Sequence, residues 1–261
     1  MDNNGRWRKI APPIVSVIAI VAIWQAGCTI YKPEKWMLPA PLTIAEKLWT
    51  DQHLLLSAVG SSLRLVFMGL GLGVAIGVAA ALLFHLVPWL KAAFAPLIVI
   101  SQNIPVVAIG PLLIVWFGFG LTPKLILLVL VCFFPIVMSM MTGLSRSEPH
   151  LREYLAMIGA SRMELLRRLE LPASLPHFFT GLKITATYSV STAVVVEWLG
   201  GSKGIGKYML LKKASYDAAG VFASVIWVVA LSLAVYGLVL LAERLVVRWT
   251  PRTGNQGGTG R

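Results

Sequence analysis

The sequence predicts an all-α polytopic membrane protein with six transmembrane helices and one charged helical hairpin set between two of them. Three observations lead there. Of the 261 residues, 57% are hydrophobic and 13% charged, with a mean hydropathy of +0.78, whereas soluble domains carry about 25% charged residues. Apolar runs recur at the length of about 20 residues that a helix needs to cross a bilayer. The longest polar interruption, 147–176, carries Arg152, Arg162, Arg167 and Arg168, with Arg146 just before it. Every other polar gap is short, so residues 1–261 form a single transmembrane domain.

The spans follow in order. The first is 10–30, preceded by Arg6, Arg8 and Lys9. This start resembles a signal peptide, but the apolar stretch is too long and lacks a small-residue cleavage site, so it reads as a retained anchor. A polar stretch follows, with a short amphipathic helix near 43–49. The second span, 62–84, carries Gly69, Gly73 and Gly77 at every fourth residue, a strip that lets another helix approach closely. The third, 92–117, is interrupted by Gln102, Asn103, Pro105 and Pro111. The fourth is 124–142, the fifth 178–199 and the sixth 221–241. Between the last two, GGSKGIGKYMLLKKASYDAAG reads as a glycine turn around a short outer helix. Six spans put both termini on one side. Assigning the termini and the hairpin to the cytoplasm places fourteen of the 23 basic residues there, as the positive-inside rule requires. The lysines from Lys203 to Lys213 weigh the other way.

The hairpin reads as two capped helices. Ser147 is a candidate N-cap with Pro149 in the first turn, and Gly159 supplies a left-handed stop after Ile158. Ser161 opens the second helix, and Glu164 three residues later completes a capping box. Pro172 is expected to close it, with Ser174 and Pro176 starting the next helix. A solvated basic loop is the plain alternative, which the double capping argues against. A DNA-reading helix pair is excluded because the tethers are too short to reach a major groove, so no nucleic acid partner is expected.

Polar residues inside a membrane mark functional sites by default. On the fifth span, Tyr188, Ser191 or Thr192, and Val195 share a face, and Glu197 lies near the outer end. Gln102 and Asn103 lie mid-span beside Pro105. These point to a polar path between the third and fifth spans, or alternatively to hydrogen bonds within the bundle, with Glu197 paired to a loop lysine. Arg64 and Lys183 read as snorkelling residues at span ends. Nothing catalytic stands out. His53, His85, His150 and His177 are scattered, without metal-ligand spacing or a carboxylate pair. Gly201, Gly206 and Lys207 have phosphate-loop spacing, but Tyr208 stands where Ser or Thr must be, and no strand precedes them. Cys28 and Cys132 lie in apolar runs and suggest no disulfide framework. A non-enzymatic chain with no cofactor or metal of its own is expected.

At the hairpin the sequence resembles the inner-membrane permeases of bacterial ATP-driven (ABC) importers of the binding-protein-dependent type. Their signature is Glu-Ala-Ala, three residues, Gly, nine residues, Ile, one residue, Leu-Pro. Here Glu153, Gly159, Leu171 and Pro172 match in spacing. Tyr154 and Leu155 replace the alanines, and Leu169 replaces the isoleucine. The resemblance extends over nearly the whole chain. SQNIPVVAIGPLLIVWFGFG and LAERLVVRW look like the branch that imports sulfonates, taurine, nitrate and thiamine-pyrimidine precursors. TYSVSTAVVVEWLGGSKGIGKYM is most similar to members for hydroxymethylpyrimidine-type or riboflavin substrates. The resemblance implies the type I importer permease fold, in the bacterial cytoplasmic (inner) membrane. It makes the hairpin a coupling helix seated on a cytoplasmic ATPase dimer through Arg152, Glu153, Gly159, Ala160, Ser161, Leu171 and Pro172. ATP and magnesium would be bound by that partner. A second permease subunit, expected to be a copy of this one, and a periplasmic or lipid-anchored binding protein would complete the assembly within membrane lipid. The implied cargo is a heteroaromatic vitamin precursor, with an alkanesulfonate, taurine or nitrate as the alternative. An ATP-independent secondary transporter is the rival class. It would show inverted repeats or membrane carboxylate pairs, and neither is visible in the sequence.

Overall fold

The computed structural model describes residues 3–34, 36–101 and 103–248, and every described element is helical. In order these are α1 (Asn3–Tyr31), α2 (Pro41–Thr50), α3 (Gln52–Leu86), α4 (Pro88–Ser101), α5 (Val106–Phe117), α6 (Leu121–Ser145), α7 (Pro149–Met157), α8 (Arg162–Leu165), α9 (Leu171–Gly200), α10 (Ile205–Ala214) and α11 (Ala218–Val246). A π-helical stretch, Leu166–Glu170, joins α8 to α9.

The glycine strip sets the first helix crossing. A Cβ on Gly69 would stand 2.5 Å from Leu128 Cβ, one on Gly73 2.5 Å from Cys132 Cβ, and one on Gly77 2.9 Å from Ile136 Cγ2. Both helices advance four residues per contact in the same sense, so α3 and α6 run parallel with their backbones close. α9 runs antiparallel to α6, with Gly181 against Ser139 and Gly143 against Ser174. It is the central helix, touching α3, α5, α6, α10 and α11. Leu65, Val66, Leu128, Cys132, Ala186, Val190, Ala193 and Val235 fill the space where α3, α6, α9 and α11 meet.

Four described helices are long and apolar enough to cross a membrane: the Pro12–Tyr31 part of α1, and α3, α6 and α11. α9 spans 30 residues but is more polar, because its hydroxyls, Lys183 and Glu197 sit on a helix largely wrapped by others. The expected third span is two helices rather than one interrupted helix. The break falls at Asn103–Pro105, because Pro105 offers no N–H and disfavours helix in the residue before it. Pro111 lies inside α5 without ending it. α4 and α5 together make one pass antiparallel to α6. Ile98 clusters with Val137 and Phe84, while Gly110 lies beside Leu127 and Leu199. The amphipathic helix near 43–49 is α2, which begins on Pro41. The glycine turn leads into α10 as expected.

Two expectations about the hairpin are corrected. Ser147 does not cap α7. Glu148 holds the N-cap position without a side-chain cap bond, and Pro149 sits in the first turn, where its fixed φ starts a helix by itself. Nor does Pro172 close the second helix. The helix runs on from α8 into α9, widened to a π turn over the five residues before Leu171–Pro172. Pro172 withdraws the N–H that would reach Arg168, and the wider turn relieves the clash of its ring with that carbonyl.

Candidate coupling hairpin and polar face

The turn of the hairpin is fixed by local chemistry. Gly159 has φ +85°, a left-handed conformation open to glycine. Its N–H bonds Ala156 O, and the N–H of Ala160 bonds Leu155 O, each at 3.0 Å, which is a Schellman closure of α7. Ser161 and Glu164 form the expected capping box, and the N–H and hydroxyl of Ser161 hold the Glu164 carboxyl below its usual range. α7 buries no residue at all. Leu151, Tyr154, Met157 and Ile158, with Met163 of α8, stand exposed. Glu153 is exposed as well. A cleft of about 180 Å³ beside the turn is lined by Leu155, Ile158, Gly159, Ala160, Glu164 and Arg168. Leu171 packs under the hairpin against Ala81, Met140, Leu144 and Leu166, and Pro172 is half-buried beside it.

Arg152 does not simply face solvent. It pairs with Glu170, which is 3% exposed. His85 Nε2, near the end of α3, lies 2.6 Å from the other carboxylate oxygen of Glu170. Arg162 donates to the carbonyls of His85 and Leu86 at 3.2 and 3.0 Å. Sequence reading missed Glu170 and set His85 aside as scattered. The available signal was an acid directly before Leu171–Pro172, at the mouth of a span, below a run of arginines.

The fifth expected span presents one bare face. Thr180, Ile184, Thr187, Tyr188, Ser191 and Trp198 are exposed along α9, at the spacing of a single helical stripe. Thr192 is buried instead, on the packed side. Asn103 is exposed, and its Nδ2 donates to Val99 O at 3.0 Å, within its own helix end. Gln102 lies outside the described residues, as do Lys35, Arg252 and Arg261. The structure therefore joins Tyr188 and Ser191 on the bare face, while Thr192 and Glu197 are both buried.

Glu197 is the second correction to the site. It neither pairs with a loop lysine nor faces open space, being 2% exposed. Ser62 of α3 donates to Oε1 at 2.7 Å, and the Gly206 N–H donates to Oε2 at 2.8 Å. The Ile205 N–H donates to Ser62 Oγ at 2.8 Å. The carboxylate thus satisfies the start of α10 from another element, the work an N-cap side chain does locally. Gly204, at φ +109°, crosses directly over the carboxylate, where any Cβ would collide with it. The glycines that imitate a phosphate loop are there to let the chain approach this acid. Lys183 is also reassigned. It pairs with Glu243 of α11 at 2.9 and 3.0 Å rather than snorkelling, while Arg64 is exposed as expected.

At the same end, four charges bind α2, α10 and α11 together. Lys212 Nζ lies 2.7 Å from Asp51 and 3.2 Å from Asp217, and Lys47 lies 2.9 Å from Asp217. Tyr208 donates to Asp51 Oδ2 at 2.7 Å, and Asp217 caps α11 through the Gly220 N–H. Burial pushes the Asp51 carboxyl up, but Lys212, Tyr208 and Lys47 outweigh it and hold it below its usual range. Asp217 is depressed in the same way, burial being outweighed by Lys47, Gly220 and Lys212. The hydrogen bond to Asp217 raises Lys47 against the opposing effect of burial. Nearby, a crevice of about 740 Å³ is bordered by Lys32, Trp36, Thr43, Tyr216 and Asp217.

Known proteins agree with this architecture. The chain is similar to a riboflavin transport system permease protein of Chloroflexus aurantiacus, with 32% identity over 93% of this chain and 91% of the relative. It is similar to a formylaminopyrimidine transport permease protein of Halalkalibacterium halodurans, with 29% identity over 91% and 95%, and to a taurine transport system permease protein of Escherichia coli, with 28% identity over 87% and 86%. Among solved structures, a chain of the MetNI methionine ABC transporter in an inward-facing conformation superimposes with a TM-score of 0.66 at 21% identity, covering 76% of this chain and 98% of that one. That likeness speaks for the fold. Residues 73–248 match the binding-protein-dependent transport system inner membrane component family, and the chain belongs to that family, as a multi-pass inner-membrane permease subunit of an ABC importer that is a transport component rather than an enzyme.

Proposed function

We propose that the chain carries a small heteroaromatic vitamin precursor of the thiamine-pyrimidine type across the inner membrane, driven by a separate ATPase. The single observation that carries the ATP-driven part of the reading is the hairpin. It is rigidly closed at its turn, buries nothing in its first helix, and offers an apolar knuckle of Leu151, Tyr154, Met157, Ile158 and Met163. A helix with that face exposed outside the lipid needs a protein partner. In this reading the partner is a cytoplasmic ATPase dimer that binds ATP and magnesium, a kind of partner the family membership supports. Arg152, Glu153, Gly159, Ala160, Ser161, Leu171 and Pro172 are the coupling residues in this reading. In this reading the hairpin and both termini lie in the cytoplasm, which the excess of basic residues supports, with α4 and α5 counted as one of six passes.

The bare stripe of α9 is the proposed wall of the path, completed by a second permease subunit, a copy of this one. Tyr188 would stack on a ring and Ser191 would accept or donate beside it. Thr192 and Glu197, both buried, play no direct part in this version, while Asn103 and Gln102 keep their proposed place on the path. The end that carries Lys47 and Asp217 would face the binding protein. The formylaminopyrimidine and riboflavin relatives support a ring compound. The taurine relative supports the small anion as the second reading.

The test is uptake into cells lacking their own systems, with this permease, its ATPase and its binding protein co-expressed. Labelled hydroxymethylpyrimidine, riboflavin and taurine are offered separately. ATP-dependent accumulation of a ring compound is expected. Accumulation of taurine alone would discard the cargo, and uptake that persists without the ATPase would discard the mechanism.

A further inference from the structure

α7 is held to the rest of the molecule in an unusual way. It buries no residue, so packing does not fix it. Its side-chain tie to the bundle among the described residues is the Arg152–Glu170 pair. Glu170 lies at the root of α9, in the π-helical stretch. The same carboxylate reaches across to His85 at 2.6 Å. The second hairpin helix reaches the same place by another route. Arg162 donates to the carbonyls of His85 and Leu86, which end α3 and have no partner of their own within the helix. Both helices of the hairpin are therefore tied, through side chains, to one spot on α3.

We infer that Glu170 is a positioning residue for energy coupling: through Arg152 and His85 it makes α3 follow the movement of the hairpin. This rests on the importer reading and adds to it a named route. The physical case is asymmetry of burial. The Glu170 side chain is 4% exposed while that of Arg152 is 51% exposed. A displaced α7 cannot leave the buried acid unpaired without a large desolvation penalty. The acid and its second partner, His85, must then move with it. α3 in turn is locked along its length to α6 by Gly69, Gly73 and Gly77. A shift at residues 85 and 86 thus becomes a shift of the α3–α6 pair. Without the pair, α7 would lose its tie to α3, and only the bonds from Arg162 to the carbonyls of His85 and Leu86 would remain.

The test uses the permease co-purified with its ATPase in proteoliposomes, in a background with Cys28 and Cys132 changed to alanine. A single cysteine replaces Leu83, an exposed residue of α3 half a turn before His85. Its rate of maleimide labelling is compared without nucleotide and after trapping with ATP and vanadate. With Glu170 and Arg152 intact, the rate should change by about fivefold or more on trapping. Glu170→Gln should reduce the change to less than about twofold, with ATPase co-purification unaltered, and Arg152→Gln should reduce the change likewise. Arg152→Lys, which keeps the charge, should recover part of it. Because Arg152 is half exposed, its variants test the route without threatening the fold. An undiminished response in both glutamine variants would overturn the inference while leaving the importer reading intact. Failure of the unaltered permease to retain any ATPase would bring down both.

Discussion

Two buried glutamates, Glu197 near the end of α9 and Glu170 just before its start, pin the same antiparallel pair of helices at opposite ends, and they do so with different chemistry. Glu197 meets α3 at Ser62, and Glu170 meets α3 at His85. The two points on α3 are 23 residues apart, about 35 Å at 1.5 Å per residue, close to the thickness of a bilayer core with its margins. Glu197 is satisfied by a hydroxyl and a backbone N–H, both on elements packed tightly around it. Glu170 is satisfied by an imidazole and by a guanidinium on an exposed helix. Short neutral donors on packed backbone hold one geometry. A long charged side chain on an unpacked helix holds a connection through a range of geometries. The first arrangement suits a fixed end and the second a moving one.

The largest way to break the comparison is at the fixed end. Glu197→Ala leaves the Ser62 hydroxyl and the Gly206 N–H buried without their acceptor, at about 1–3 kcal/mol each. The thermal midpoint of the purified permease in detergent should fall by about 10 °C. Gly204→Val, which pushes side-chain atoms into the carboxylate from a left-handed backbone, should prevent accumulation in the membrane altogether. Glu197→Gln keeps one acceptor, so its drop should be smaller than that of Glu197→Ala. At the moving end Glu170→Gln should lower the midpoint by only about 2 °C, because the half-exposed Arg152 can return to water.

Between the two ends lies the glycine strip. Gly73→Leu would force side-chain volume into Cys132 across the crossing, costing about 1–3 kcal/mol, and a lower midpoint in the same detergent assay checks it. The charges of α2, α10 and α11 give a smaller, pH-dependent effect. Asp51 and Asp217 are held below their usual range. Their contribution is complete above the unfolded value of about 4 and is lost as pH falls through the lower folded values. Lys47 works in the opposite sense. Its raised value gives stability that is present below about 10.4 and is lost as pH rises through the folded value. The midpoint should therefore hold from pH 7 to about 5 and drop below about 4, and Asp51→Asn should shrink that drop. The smallest effect is at the hairpin turn, where Ser161→Ala should cost about 1 kcal/mol of local helix stability, visible as faster amide exchange at Glu164.

Much of this was legible in the sequence because it rests on local rules. Gly159 and the Ser161–Glu164 box follow from short-range backbone chemistry, and the fourfold glycine repeat states its own packing purpose. The two ties between α3 and α9 were not legible, because each joins residues more than 80 positions apart. Ser62 reads as an ordinary polar residue at a span end, and His85 as one scattered histidine among four. Glu197 was noticed, but its partner was misjudged, since nothing in GGSKGIG says that the loop folds back over the acid rather than reaching out with Lys203 or Lys207. Lys212 and Lys47 weakened the charge rule for orientation for a related reason. Their partners Asp51 and Asp217 neutralise them in the fold, so they carry little information about which side they face. The helix that continues through Pro172 was missed because a π turn relieves the strain that proline signals from sequence.

The most direct test measures two quantities on the same samples: the thermal midpoint, and the nucleotide-driven change in labelling at position 83, for Glu197→Gln and Glu170→Gln. Glu197→Gln should lower the midpoint clearly and keep the nucleotide response, whereas Glu170→Gln should lower the midpoint by only about 2 °C and lose the response. If the two variants lose both quantities in parallel, or if Glu170→Gln keeps the full response, the division into a fixed and a moving end is wrong.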